Sequence, residues 1–79
     1  MPTLFIKEGF RFFFFSNEGN EPIHVHIEKS EKYAKFWLQP ISLAYNYKFN
    51  TPELGRIKSI LDKHNKEIGD KWNEYFNIK

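Results

Sequence analysis

Apolar and polar residues recur at two different periods along the chain, and the change of period divides it into two parts. In the first half, apolar residues alternate with polar ones most clearly over residues 23–28, and this is the period of a strand with one buried face. Phe12 to Phe15 instead form a continuous apolar run, which is typical of a central strand with neither face fully exposed. After residue 50 they recur at steps of three and four, the period of an α-helix. The pattern therefore predicts a sheet followed by one helix.

Short polar turns divide the first part into strands. The predicted strands are residues 3–7, 10–16, 23–28 and 33–38. Glu8-Gly9 favours a tight turn between the first two, because glycine accepts a positive φ. The segment 17–22 contains no apolar side chain except that of Pro22 and predicts a second turn. Strands joined in this way form an antiparallel meander. The conformation of residues 39–50 is ambiguous, because the segment fits either a short strand or a helical turn followed by a loop.

A long helix is predicted over residues 51–76. Thr51 suits the N-cap position, Pro52 the first helical position, and Glu53 the positive end of the helix dipole. One face carries a mainly apolar stripe, formed by Leu54, Ile57, Leu61, His64, Ile68, Trp72 and Tyr75. The opposite face mixes both signs of charge, which is typical of a solvated helix face and not of a DNA-recognition helix. We expect His64 to be buried or half-buried and hydrogen-bonded at the helix flank.

These elements predict a single α+β domain over residues 1–79, an antiparallel meander of about four strands with one long C-terminal helix packed on one face. The residues expected to meet the helix are Ile23, Val25, Ile27, Ala34, Phe36 and Leu38. The residues expected on the opposite, exposed face are His24, His26, Glu28, Tyr33, Lys35 and Trp37. The Phe-rich strand adds to that face either Arg11, Phe13 and Phe15 or its alternate set.

Composition narrows the functional classes. The chain has no cysteine, which excludes disulfides, thiolate-bound zinc and a cysteine nucleophile. Twelve basic and ten acidic residues give a net charge of +2, which is compatible with nucleic-acid binding without requiring it. Because no apolar stretch approaches the ~20 residues of a membrane span, we expect a cytoplasmic protein. Nine Phe, four Tyr and two Trp suggest that large rings compensate for a small core.

The two histidines of the segment PIHVHIE, residues 22–28, are the first candidate for chemistry. Same-face neighbours on a strand lie ~6.5–7 Å apart, so His24 and His26 could share a divalent metal ion. Glu28 could supply a carboxylate, although three ligands in a row span ~13 Å. Such a site would support a metal-assisted hydrolase or nuclease. The same two-residue spacing of His24, His26 and Glu28 also fits the polar face of a strand without catalytic chemistry. The sequence therefore leaves open whether the protein is an enzyme.

The aromatic and cationic character of the same face indicates binding as a second possibility. The candidate contact residues are His24, His26, Trp37, Arg11, Lys35 and Tyr33. A homodimer or a small protein partner fits such a face, because exposed aromatic patches usually mark interaction sites. Single-stranded RNA is the alternative ligand, since bases stack on exposed rings. Protein contact ranks first, because the aromatic signature of RNA-recognition motifs is absent and the excess positive charge is small.

Three segments resemble a family of small bacterial proteins, the domain of unknown function DUF4160. They are GFRFFFFSNEGNEPIHVHIEK, AKFWLQPISLAYN and KWNEYFN, and the resemblance extends over almost the whole chain. The resemblance implies no catalytic residues. Such proteins are similar in size to toxin–antitoxin components and are often encoded beside another small protein, which implies an interaction component of a two-gene module. The histidine motif of the family fits His24 and His26 and makes this pair the leading functional locus.

Overall fold

The computed structural model of the chain describes residues 3–15 and 20–76. The elements are β1 (Thr3–Lys7), β2 (Phe10–Phe13), β3 (His24–Lys29), β4 (Lys32–Leu38), β5 (Ile41–Tyr47) and α1 (Thr51–Phe76). The strands form one antiparallel sheet in the order β1-β2-β3-β4-β5. The predicted α+β architecture is confirmed, with one strand more than expected. In the part of the chain described, no helix is both long enough and apolar enough to cross a membrane.

The additional strand, β5, is formed by the segment whose conformation the sequence left ambiguous. It pairs with β4 along its whole length, and Gln39-Pro40 forms the turn between them through a cis peptide bond. Phe36 pairs with Leu43 and Lys35 with Tyr45, so Ala44 is an extra residue that makes a β-bulge. Every residue from Ser42 to Tyr47 is exposed. An edge strand with no buried face has no reason to show a clear alternation, and the pattern therefore did not reveal it.

Strand boundaries also differ from the prediction. β2 ends at Phe13, where its pairing with β3 ends at His26, and not at residue 16. Residue 16 and part of the predicted turn at 17–22 lie outside the described residues. β3 and β4 meet at a tighter turn than predicted, since Lys29 pairs directly with Lys32. The predicted turn at Glu8-Gly9 is confirmed, with positive φ at both residues, 54° and 82°.

The core lies between α1 and one face of the sheet, as predicted. The sheet contributes Val25, Ile27, Ala34, Phe36 and Leu38, and the helix contributes Ile57, Ile60, Leu61, Ile68 and Trp72, all of them buried. Phe10, Phe12 and Phe14 belong to the same cluster. Because side chains alternate along a strand, Arg11 and Phe13 must lie on the opposite face. Burial of each large apolar side chain stabilises the fold by ~1.5–3 kcal/mol, so this cluster dominates stability.

The helix begins with a capping box, and its N-cap is Asn50 and not Thr51. The backbone N–H of Glu53 donates to Asn50 Oδ1 at 2.9 Å, and the N–H of Asn50 donates to Glu53 Oε1 at 3.0 Å. The carbonyl of Asn50 already accepts the first helical bond, from the N–H of Leu54 at 3.0 Å. Thr51 is therefore the first helical residue.

The kink of the helix lies at His64, whose φ and ψ of −110° and 15° are not helical. The His64 side chain is half-buried, its ring lies 5.1 Å from the ring of Phe5, and its Nδ1 lies 3.0 Å from Glu67 Oε1. This confirms the interpretation of His64 as a hydrogen-bonded residue at the helix flank. The stripe itself differs at two positions, since Ile60 is buried and Tyr75 is exposed.

Glu53 also ties the helix to the β3–β4 turn and makes stability depend on pH. Lys32 Nζ donates to Glu53 Oε2 at 2.7 Å, and this bond, with the backbone bond from Asn50, lowers the pKa of Glu53 below its ordinary value of 4.5. A carboxyl with a lowered pKa stabilises the fold above the unfolded-state pKa, and this contribution disappears as the pH falls through the folded-state value. We expect the free energy of unfolding to fall on acidification below about pH 4.5, and Glu53→Gln to reduce that fall.

Urea unfolding of both proteins over an acid-to-neutral pH series measures this effect. Asp62→Asn is a matched control, since Asp62 is an exposed acid of the same helix. An acid dependence of Glu53→Gln that equals that of the unmodified chain would contradict the prediction.

Candidate functional site

The sheet register gathers the predicted site residues on the face opposite α1, called here the outer face. His24 pairs with Trp37, His26 with Lys35, and Glu28 with Tyr33. On the other side of β3, Arg11 pairs with Glu28 and Phe13 with His26. The outer face comprises Arg11, Phe13, Phe15, His24, His26, Glu28, Tyr33, Lys35, Trp37, Tyr45 and Tyr47. The choice that the sequence left open is resolved in favour of Arg11, Phe13 and Phe15.

Neither histidine of the outer face is exposed, which corrects the expectation of an exposed imidazole pair. His24 is 0% exposed and His26 is 2% exposed. Phe13 on β2 and Tyr33 on β4 stack against His26 from the two neighbouring strands, with ring centroids 5.5 and 5.8 Å away. Phe15 packs on the same imidazole at 4.4 Å. Large rings on both sides therefore cover His26.

His24 lies between the two tryptophans of the chain and connects the outer face to the helix. Its ring centroid is 5.5 Å from that of Trp37 on β4 and 4.9 Å from that of Trp72 on α1. Its Nδ1 lies 2.9 Å from the carbonyl oxygen of Pro22. Because a carbonyl only accepts, His24 must donate from a protonated Nδ1. His24 is thus held in one orientation by a hydrogen bond and by rings on two sides.

A second polar contact joins His26 to Tyr33. His26 Nδ1 and the Tyr33 hydroxyl share a hydrogen bond of 2.5 Å, and the rings of His24 and His26 meet edge to face at 5.1 Å. A phenol bonded to an imidazole is able to exchange a proton with it. The same bond fixes the orientation of the half-buried Tyr33 ring.

The rings of the outer face form a continuous row across four strands, called here the ring row. It consists of Phe15, Phe13, His26, Tyr33 and Tyr45. Successive centroids lie 5.4, 5.5, 5.8 and 5.9 Å apart, within the range of favourable aromatic contacts. The row is buried at Phe13 and His26 and exposed at Tyr45. Sequence reasoning missed Tyr45 and Tyr47, although their two-residue spacing was a signal for one strand face.

Two ion pairs flank the ring row. Arg11 Nη1 lies 2.5 Å from Glu28 Oε1, and the guanidinium lies 4.3 Å from the centroid of Phe13. Lys35 Nζ donates to Glu21 Oε1 at 3.1 Å and lies 4.5 Å from the Trp37 ring. Each cation thus contacts both a carboxylate and an aromatic face, which orders the long side chains. Glu21 was not predicted as part of this face.

The predicted metal ligands are only partly brought together. The two imidazoles adjoin, but Glu28 pairs with Arg11. Within residues 3–15 and 20–76, no group of three His, Cys, Asp or Glu side chains is arranged to hold a metal ion. Divalent metal binding by His24 and His26 stays a prediction.

Comparison with protein families supplies the classification. Residues 9–73 match the family model described as Domain of unknown function (DUF4160). The chain belongs to this family. The DUF4160 match contains β2, β3, β4 and β5 entirely and most of α1, so it covers the outer face and the core together. No match was found among curated proteins or among solved structures.

Proposed function

We propose that this DUF4160 protein is the interaction component of a bacterial two-gene module of the toxin–antitoxin or regulatory kind. Its outer face binds the small protein encoded beside it. The observation that carries the proposal is the ring row with an ion pair on each flank. Protein interfaces commonly combine an aromatic centre with a charged rim.

The binding energy is expected to come from a few side chains of this face. Tyr33 and Trp37 are half-buried, so their rings are fixed before binding and still offer surface to a partner. Fixed tyrosine and tryptophan rings lose little conformational entropy on association, and they are enriched among the residues that dominate binding. Arg11 and Lys35 at the rim orient acidic groups of the partner.

The two histidines take a supporting role in this proposal. Both histidines are buried, and each touches one of the two rings expected to bind the partner. His26 bonds to the Tyr33 hydroxyl, and His24 packs edge to face on Trp37. A buried residue adds no contact area of its own, but it determines where the half-buried ring beside it lies. His24 and His26 therefore act as positioning residues for Tyr33 and Trp37.

Binding to the product of the adjacent gene tests the proposal. The two proteins are co-expressed and purified through a tag on one of them. Calorimetric titration measures the affinity, and stopped-flow mixing measures the association rate. Trp37→Ala is expected to weaken binding by at least about 10-fold, because it removes one of the two half-buried rings expected to supply most of the binding energy. Lys35→Glu is expected to reduce the association rate, and the matched control Lys66→Glu, a charge reversal on the exposed helix face, leaves both quantities unchanged.

Three outcomes would overturn the proposal. The first is the absence of a complex between the two proteins at micromolar concentration. The second is zinc or manganese binding that is lost in His24→Ala and His26→Ala, together with hydrolysis of a model phosphodiester, which would favour the metal-assisted enzyme. The third is binding of single-stranded RNA with a steep salt dependence, which would favour a nucleic-acid module.

A further inference from the structure

The two edges of the sheet differ in how they are protected. β1 is five residues long, ends in Lys7, and places Leu4 and Phe5 against the core. β5 is seven residues long and contains neither a charged residue nor a proline. Edge strands commonly carry lysine, proline or a short length to prevent pairing with another chain. Apart from the bulge at Ala44, β5 lacks these protections.

An apolar groove lies beside β5 on its helix side. It has a volume of about 290 Å³, and its apolar lining comes from Phe36, Ile41, Leu43 and Leu54, with Gly55 at the helix. A strand that paired with β5 would direct alternate side chains toward this groove. An apolar side chain of that strand would fill the groove and become buried from water.

β5 itself presents the side chain that such a groove needs. On its helix side Ile41 is half-buried, and Asn46 bonds to the backbone of Phe49. Leu43, on the same side, is 45% exposed. The strand therefore carries both an apolar groove and an apolar side chain to place in an identical groove. Two-fold interfaces require this kind of self-complementarity.

We propose that the β5 edge pairs antiparallel with the β5 edge of a second copy of this chain. The two sheets then form one ten-stranded sheet, with Leu43 of each copy directed at the groove of the other. Because β5 carries no charge, no like-charged side chains of the two paired strands oppose each other. On the outer face, Tyr45 at the end of each ring row lies beside the seam.

The expected strength follows from the surface available. The half-exposed Tyr45, Tyr47 and Leu43 offer roughly 300 Å² of apolar surface per copy. A standard interface buries ~800 Å² per partner, so backbone hydrogen bonds between the strands supply much of the remaining stabilisation. This points to a dissociation constant on the order of 10–100 μM.

Sedimentation velocity over a micromolar-to-millimolar concentration series tests the dimer. The unmodified chain is expected to shift from monomer to dimer, and Leu43→Glu to weaken the dimer at least about 10-fold by placing a carboxylate in the seam. Ile6→Glu is the matched control, because Ile6 is an exposed aliphatic residue, 65% exposed, on the other edge strand. Circular dichroism establishes that each variant keeps its helix.

Disulfide trapping gives an independent measurement, since the chain contains no cysteine. Residues near a two-fold axis meet their own copies, so either Ser42→Cys or Ala44→Cys is expected to form a disulfide-linked dimer under oxidation, whereas Ile6→Cys is not. A chain that stays monomeric at millimolar concentration would refute the proposal. Equal dimerisation of Leu43→Glu and Ile6→Glu would refute it as well. A dimer that is weakened by Trp37→Ala but not by Leu43→Glu would show that the copies associate through the outer face and not through β5.

Discussion

Trp72→Ala is expected to lower the free energy of unfolding by about 3–5 kcal/mol, the largest effect of any substitution considered for this chain. Trp72 is almost fully buried, and its ring lies 4.4 Å from Phe76 and 5.1 Å from Phe14. Removing the indole leaves a cavity at the point where the last turns of α1 meet the sheet. Because small domains have little stability in reserve, a large unfolded fraction follows at room temperature. Urea unfolding followed by circular dichroism measures the change.

Two variants separate the loss of packing from other effects. Trp72→Phe keeps a ring in the site and is expected to cost much less than Trp72→Ala. Tyr75→Ala removes an exposed ring that also contacts Phe14 and Phe76, and is expected to cost ~1 kcal/mol or less. If Trp72→Ala cost no more than Tyr75→Ala, the packing of the helix end on the sheet would be disproved.

The sequence predicted the packing of the helix on one face of the sheet, because the strands and the helix each show a clear period of apolar residues. Val25 and Ile27 alternate with His24 and His26, and this alternation alone determined which side of β3 faces the helix. The helix was predicted as clearly, because apolar residues recur at helical spacing from Leu54 to Tyr75. Local periodicity survives in both elements because each has one face in the core.

The start of the helix was marked in the sequence, but by two competing signals. Asn50 and Thr51 are both good N-cap residues, and only the spacing to Glu53 decides between them. Glu53 lies three residues after Asn50, which is the spacing of a capping box. β5 gave no comparable signal, because a strand that is exposed on both faces has no buried side to mark its period.

The burial of the histidines was beyond local reasoning. His26 is covered by rings from β2 and β4, and His24 by a ring from the helix. Those residues are distant in sequence, and their coverage depends on sheet register and twist. Polar alternation along a strand therefore predicts which side a residue lies on, but it does not predict exposure when large aromatic residues occupy the neighbouring strands.

His24→Ala is expected to destabilise the protein by about 2–4 kcal/mol and to change the environment of both tryptophans. The substitution removes a fully buried ring that contacts Trp37 on one side and Trp72 on the other. It also leaves the carbonyl of Pro22 without the Nδ1–H donor of His24. Since these are the only two tryptophans in the sequence, tryptophan emission reports on this site alone. A shift of emission to longer wavelength is expected as water enters the cavity.

His64→Ala is the matched control for this result, because His64 is the third histidine and is half-buried on the helix beside Phe5. Its loss is expected to cost less and to leave tryptophan emission unchanged. If His24→Ala left the emission unchanged as well, His24 would not lie between the tryptophans. The assignment of His24 as the residue that positions Trp37 for a partner would then fail, whereas the ring row, which does not contain His24, would be unaffected.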